Sequence, residues 1–332
     1  MKISRNKKRL IVLSLISIIV LSIIVIGLLD ANTEKFGHYY PDYKREDLKA
    51  TLEAIDFQAS NPSLYDKLTT GNYDLLFKQT GLGKAAVNQV YEDCNGDEDS
   101  FIDEMISYQD AFFTDEAYLC EKVGIITYEE KMINAQGKRA KAYKIPSIMV
   151  GDILITKATH SIGFRHGHSA IVVDSDGKKT LESILLGYNS DYQSIDKWRG
   201  YPSFIQLRLK PGVEIGKNIS REELGELVGA FAEKYTYDIP YGLLTGLPIK
   251  SPAPDKIRKT QCAHLVWYAY YNFGIDLDSD GSWLVTPKDI ANSDKVEVVQ
   301  IFGVNPNEIW PWKIICSRPQ DCRILTFKTI CL

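Results

Sequence analysis

Two short strings, far apart in the chain, constrain its fold more than any other feature. Gly151-Asp152-Ile153-Leu154-Ile155 leads into Gly167-His168-Ser169-Ala170-Ile171-Val172-Val173, and Gln261-Cys262-Ala263-His264-Leu265-Val266-Trp267-Tyr268-Ala269-Tyr270 follows much later. The first reads as a β-rich stretch with a histidine where a strand begins. The second reads as the start of a buried helix with a cysteine in its opening turn. The first turn of a helix leaves N–H groups unpaired at the positive end of the macrodipole, so a thiol there is biased toward thiolate. An imidazole on a facing strand is the other half of a cysteine nucleophile. The two meet only if the intervening chain folds one element onto the other.

The surrounding pattern changes near residue 146. Between 31 and 145 the periodicity is mostly helical, over Arg45–Phe57, Tyr73–Phe77, Lys84–Tyr91, Asp99–Phe113 and Glu116–Val123, with a break at Thr80-Gly81-Leu82-Gly83. This stretch lacks a catalytic constellation and reads as a cap or spacer. From 146 on, short β-rich runs at Met149–Thr156, Ser169–Asp174, Lys179–Leu185 and Phe204–Leu209 are separated by turn residues. Arg221–Lys234 reads as a helix with Ser220 and Glu223 as a capping box, and Cys262–Phe273 as a helix closed by Gly274. Strands at Val296–Phe302 and near Ile324–Phe327 complete an α+β domain with a helix on one face of a sheet.

Cys262 is the candidate nucleophile, although a cysteine is also a common small residue in a buried helix. His168 is the candidate base that takes the thiol proton and returns it to a leaving group. His166 shares its face if the strand extends backward and is the alternative base; His160 and His264 are weaker candidates. An acid or amide should orient the imidazole. Glu182 lies on the next strand, after a Ser175-Asp176-Gly177 turn, in an otherwise apolar run where an unpaired carboxylate would be costly. Pairing with His168 accounts for it; so would an edge position facing water. Tyr241, in Pro240-Tyr241-Gly242, could line a cleft or donate to an oxyanion.

Asp276-x-Asp278-x-Asp280-Gly281 imitates the start of a calcium loop, but Pro287 stands where a bidentate glutamate belongs, and a solvated turn is expected. His160, His166 and His168 could ligate zinc, yet no further ligand stands at short spacing. Neither a metal nor another cofactor is expected.

Taken together, the strings resemble the permuted NlpC-type papain-like cysteine hydrolases, specifically the YiiX-like branch. The resemblance runs from about Gly151 to Ile290 and includes Gly274-Ile275-Asp276-Leu277-Asp278 and Thr286-Pro287-Lys288-Asp289-Ile290. It departs at Ala263, where serine is commoner, and at the extra His166. The histidine precedes the cysteine, the reverse of most papain-like enzymes. The resemblance implies a circularly permuted papain-like fold and a Cys262, His168, Glu182 triad. It also implies thiol hydrolysis of amide or related acyl bonds, often in cell-wall peptidoglycan. Two alternatives stand beside that reading: a lipid acyltransferase or thioesterase on the same permuted fold, and a non-catalytic surface-binding module.

The N-terminus bears on location. Lys2, Arg5, Lys7, Lys8 and Arg9 precede a charge-free run from Leu10 to Leu29. About 20 such residues match a bilayer's hydrocarbon thickness. Residues 1–30 are therefore expected to be a cytoplasmic stub and transmembrane signal-anchor, with 31–145 as the helical region and 146–332 as the hydrolase domain outside the membrane. Secretion after cleavage near Ala31 is the alternative. The net charge of −4 comes without a dense basic patch, so nucleic acid is not an expected partner. Of the six cysteines, Cys316 and Cys322 flank a turn at Pro319 and are the first candidates for a disulfide; full reduction is equally compatible with the spacing.

Overall fold

A computed structural model describes residues 5–33, 38–55, 64–114, 117–161, 165–213, 219–245 and 249–310. The elements, in chain order, begin with α1 (Arg5–Thr33), α2 (Leu48–Glu53), α3 (Leu64–Lys67), α4 (Thr70–Thr80), α5 (Lys84–Asp93) and α6 (Glu98–Phe112). Next come β1 (Ala117–Lys122), β2 (Thr127–Ile133), β3 (Ile153–Thr156), β4 (Thr159–Ser161), β5 (His168–Asp174), β6 (Lys179–Glu182), β7 (Asp191–Ser194) and β8 (Phe204–Leu209). Helices α7 (Arg221–Thr236), α8 (Cys262–Tyr271) and α9 (Pro287–Ala291) precede β9 (Val296–Phe302). The suggested Cys316–Cys322 bridge and the strand near 324–327 lie outside the described residues.

The architecture is α+β, but the expected transmembrane segment is corrected. Among the described residues no helix is long and apolar enough to cross a membrane. Helix α1 starts inside the basic stub and runs past Asp30.

Six antiparallel strands form the main sheet in the order β7-β6-β5-β3-β8-β9. Alternation along the strands builds two cores rather than one. Ile153 and Ile155, Ile171 and Val173, and Ile205, Leu207 and Leu209 turn to one face, where Leu224, Val228 and Ala232 of α7 and Ala263, Val266 and Ala269 of α8 cover them. Leu154, Ala170, Val172 and Phe204 turn to the other face and meet Met132, Trp198, Tyr201 and Phe302. The sheet is thus covered on both sides, not on the single side expected. Each fully buried aliphatic side chain contributes about 1.5–3 kcal/mol.

Gly151 shows why its string begins as it does. It sits at φ 89°, and a Cβ there would lie 2.7 Å from the Gly225 Cα of α7. Its neighbour Asp152 is buried and accepts from Arg208 Nε at 2.7 Å, Gln206 Nε2 at 2.8 Å and the Met149 amide at 2.9 Å. The turn at Val150–Gly151 explains why β3 begins at Ile153 rather than Met149.

The region before 146 departs from a purely helical reading. Glu116–Val123, expected as a helix, lies instead across β1, which pairs with β2 from Ala117↔Ile133 to Lys122↔Tyr128; β4 joins as a third strand. A short apolar run fits either period, and the partner strand decides it. Helix α2 is shorter than Arg45–Phe57 because Asp47 caps it, accepting from the Ala50 amide. The glycine break has a packing cause. Gly81 ends α4 at φ 74°, its carbonyl accepts from Ile301 N at 2.8 Å, and Gly83 N donates to Val299 O at 2.8 Å. A Cβ at either glycine would collide with the β9 backbone. The helices consequently dock on the β9 edge of the sheet, where Leu82, Ala86 and Val87 share a core with Val299.

Candidate active site

The helix α8 starts at Cys262 because Gln261 caps it: Gln261 Oε1 accepts from the Ala263 amide at 3.0 Å. Gln261 Nε2 donates to Val285 O at 2.6 Å, fixing the cap against the 276–286 loop. The Cys262 sulfur lies 3.4 Å from Gln261 Oε1 and reaches the amides of Ser169 and Ala263. It is hydrogen-bonded to His168, the first residue of β5. Cys262 and His168 are only 5% and 3% exposed. The two halves of the sequence pattern therefore meet, where β5 passes under the start of α8.

His168 Nε2 lies 2.8 Å from Glu182 Oε2. The carboxylate is wholly buried, so the edge position facing water does not apply. It also accepts from Lys197 Nζ at 2.9 Å, Thr180 Oγ1 at 2.7 Å and Trp198 Nε1 at 3.1 Å. The Trp198 indole stacks on the imidazole, with ring centres 5.7 Å apart and planes 9° from parallel. Sequence reasoning missed these supports. Thr180 could have been found, since it sits two residues before Glu182 on the same strand face. Lys197 and Trp198 come from a 3₁₀ turn at Ile195–Gly200, brought to the site only by the fold.

Burial alone would push the Cys262 thiol up. The His168 hydrogen bond and charge, with the two amides, outweigh it and hold the thiol below its ordinary range. Burial would likewise push His168 down, but its bond to Cys262 and then the bond and charge of Glu182 hold it up at about 9. Burial opposes ionisation of Glu182 too; the Lys197 charge and the His168 bond and charge overcome that and keep the carboxylate strongly ionised. His168, held up at about 9, is an imidazolium at neutral pH, and beside an ionised Glu182 its charge favours the thiolate form of Cys262. Such a pair can attack a carbonyl carbon, while amides around the sulfur can receive the oxyanion.

The other candidates go elsewhere. His166 precedes the strand rather than extending it, and its ring bonds Ser161 Oγ at 2.9 Å and Gly167 O at 2.6 Å. Burial takes it down to about 4, so it is neutral and aimed away from the sulfur. His264 stacks on Tyr268 and bonds Thr260 Oγ1 and Lys250 O. Tyr241 is beside the site: burial first, then the Cys262 charge, raises its phenol. Its amide donates to Tyr188 O at 3.0 Å.

His160 meets a different thiol, Cys120 of β1, at 3.5 Å, and stacks on Tyr128. Here burial and the nearby Glu130 charge raise the thiol. The calcium-like string is the exposed turn expected, with Asp276, Asp280 and Gly281 facing water. The Asp278 side chain is fully buried and ion-paired with Lys250. Carboxylate oxygens of Asp278, Asp280 and Asp289 lie within 4.8 Å of one another, with the Lys250 ammonium as their counter-charge.

Comparison with family models, curated proteins and solved structures found no match to this chain.

Proposed function

We propose that the chain is a cysteine hydrolase of the amidase or endopeptidase type that works through an acyl-enzyme. The Cys262–His168–Glu182 line, with its 2.8 Å imidazole–carboxylate bond, carries the reading. Cys262 sulfur attacks the acyl carbon and forms a thioester; the bond to the leaving nitrogen or oxygen breaks, and His168 gives that group its proton. Water, deprotonated by His168, then attacks the thioester and returns the free acid and the thiol. Glu182 holds the ring, and Lys197 and Trp198 hold Glu182 as positioning residues. No cofactor enters this scheme.

Cell-wall peptide as the substrate rests on the resemblance alone, and would place the reaction outside the cytoplasm. The lipid acyl alternative rests on the same resemblance. The test is iodoacetamide labelling followed by hydrolysis. Near neutral pH, Cys262 should alkylate faster than every other cysteine, and Cys262→Ala should abolish turnover of amide or ester substrates. Equal labelling of all the thiols would leave a binding module. Mass spectrometry of digested peptidoglycan then reads the wall-peptide case directly.

A further inference from the structure

Two successive carboxylates on β2, Glu129 and Glu130, are only 7% and 4% exposed, so each needs a partner. Glu130 takes Arg165, whose Nη1 and Nη2 donate to it at 3.1 and 2.6 Å. Alternation along the strand sends Glu129 to the opposite side, together with Lys131. There Lys131 Nζ lies 2.7 Å from Glu129 Oε2 and sits over the Tyr201 ring, 3.7 Å from its centre. Tyr201 Oη donates to Glu129 Oε1 at 3.0 Å. The Tyr201 ring packs edge-on against Trp198, with centres 5.6 Å apart, and Trp198 is the indole stacked on His168. An unbroken line of contacts therefore runs from the β1–β2 hairpin to the imidazole, through two wholly buried aromatic rings.

Charge follows the same line. A single oxygen, Glu182 Oε2, receives both His168 Nε2 at 2.8 Å and Lys197 Nζ at 2.9 Å. Two cations brought to one buried oxygen repel each other, and the ammonium competes with the ring for the carboxylate. Glu129 is where a second counter-charge stands: the charges of Lys131, Lys197 and His168 all act on it. The groups facing one another are Glu129 and Lys131 from β2, Lys197 from the 3₁₀ turn, Glu182 from β6, His168 from β5 and Cys262 from α8. Burial, then Glu129 and Glu182, keeps the Tyr201 phenol protonated, and His166 is neutral. Holding a hairpin is a weak reason for such a pair, since buried ion pairs return little net stability.

We infer that Glu129 is a positioning residue of the site: its carboxylate, delivered by the β1–β2 hairpin, balances the Lys197 ammonium and so leaves Glu182 to hold the imidazole in its charged form. This deepens the cysteine-hydrolase reading and rests on it. Glu129 acts through Lys197, Tyr201 and Trp198. It lies before Gly151, outside the stretch that carries the family resemblance, so the amino-terminal region contributes a charge to the chemistry.

Imidazole NMR of the full chain reads this role without any substrate, the His168 signal being the one of five that His168→Gln removes. In the native protein that ring should lose its proton near 9. Glu129→Gln keeps the shape and removes the charge, and the midpoint should fall by about half a pH unit or more. The alkaline limb of kcat/KM on an activated ester should move down with it, a change that a merely structural role would not produce. Glu129→Asp keeps the charge and should hold the native midpoint. Because Glu129→Gln leaves the Lys131 ammonium buried alone, Glu129→Gln/Lys131→Met removes both partners together; it should fold and still show the lowered midpoint. A native midpoint and limb in the neutral variants would overturn the inference, while selective alkylation of Cys262 keeps the hydrolase reading standing. Loss of that selectivity in the native protein would instead sink the hydrolase reading, and the positioning role with it.

Discussion

Among the described residues there are two cysteine–histidine contacts, and their environments separate the proposed nucleophile from a bystander. Cys262 meets His168 at the start of a ten-residue helix, under two backbone amides, with an ionised Glu182 behind the ring. Cys120 meets His160 at 3.5 Å on a strand, with the Glu130 charge near both the sulfur and the ring. The first thiol is lowered and the second raised. Proximity of sulfur to imidazole is common to both; helix amides and a fixed counter-charge are not. A cysteine–histidine pair acquires chemistry from what surrounds it.

That contrast can be broken most sharply by exchanging roles. Cys262→Ala should lower turnover on the order of 10⁴-fold or more, whereas Cys120→Ala should leave it within about twofold, measured as kcat/KM on one activated ester. Equal losses would erase the distinction between the two pairs. Glu182→Gln should cost about 10²–10³-fold in the same assay. It should also destabilise the fold by roughly 2–4 kcal/mol in urea denaturation, since it strips a buried site of the charge facing His168 and Lys197.

Iodoacetamide provides a third contrast. At pH 7 Cys262 should react at least about tenfold faster than Cys120, whose rate should climb only as pH approaches the thiol's raised value. Hydrolysis itself should appear below the ordinary thiol range and fall away as His168 loses its proton near 9. The stability linkage has a definite sign. The folded-state value of His168 is raised from 6.5, so its contribution is complete below about 6.5 and disappears as pH rises through about 9. Stability measured across pH 6–10 should decline over that window, and His168→Gln should flatten the decline. The smallest effect belongs to Lys197→Met, a loss of about tenfold with a KM nearly unchanged, as a residue acting through Glu182 should show.

Much of the site was legible because the groups that touch one another stand in periodic strings. Cys262 precedes a charge-free helical run, His168 opens an apolar strand, and Glu182 interrupts another. Burial of a lone acid in such a strand forces a partner, and the partner is what the sequence suggested. Lys197, Trp198 and the Asp152–Arg208 pair were not legible as partners, because nothing local distinguishes a tryptophan that stacks on a buried imidazole from one that fills a core. The β1–β2 hairpin was misread for a related reason: Ala117–Lys122 has no period strong enough to exclude a helix, and its strand form depends on partners elsewhere. At the N-terminus the length of the apolar run suggested more than the described helix supports.

The 3₁₀ turn at Ile195–Gly200 has one more consequence. Its inner side delivers Lys197 and Trp198 to Glu182, and its outer side grips the segment that ends the helical region: Arg199 Nε donates to Ala142 O at 3.0 Å, Ala142 N returns a bond to Arg199 O at 2.7 Å, and Lys141 pairs with Asp196. Severing the chain near residue 145 would therefore not release the later half as an autonomous unit. It would loosen the clamp on the carboxylate and let the imidazole swing, so the amino-terminal portion behaves as a mechanical brace whose removal should be felt first as lost turnover and only afterwards as lost folding.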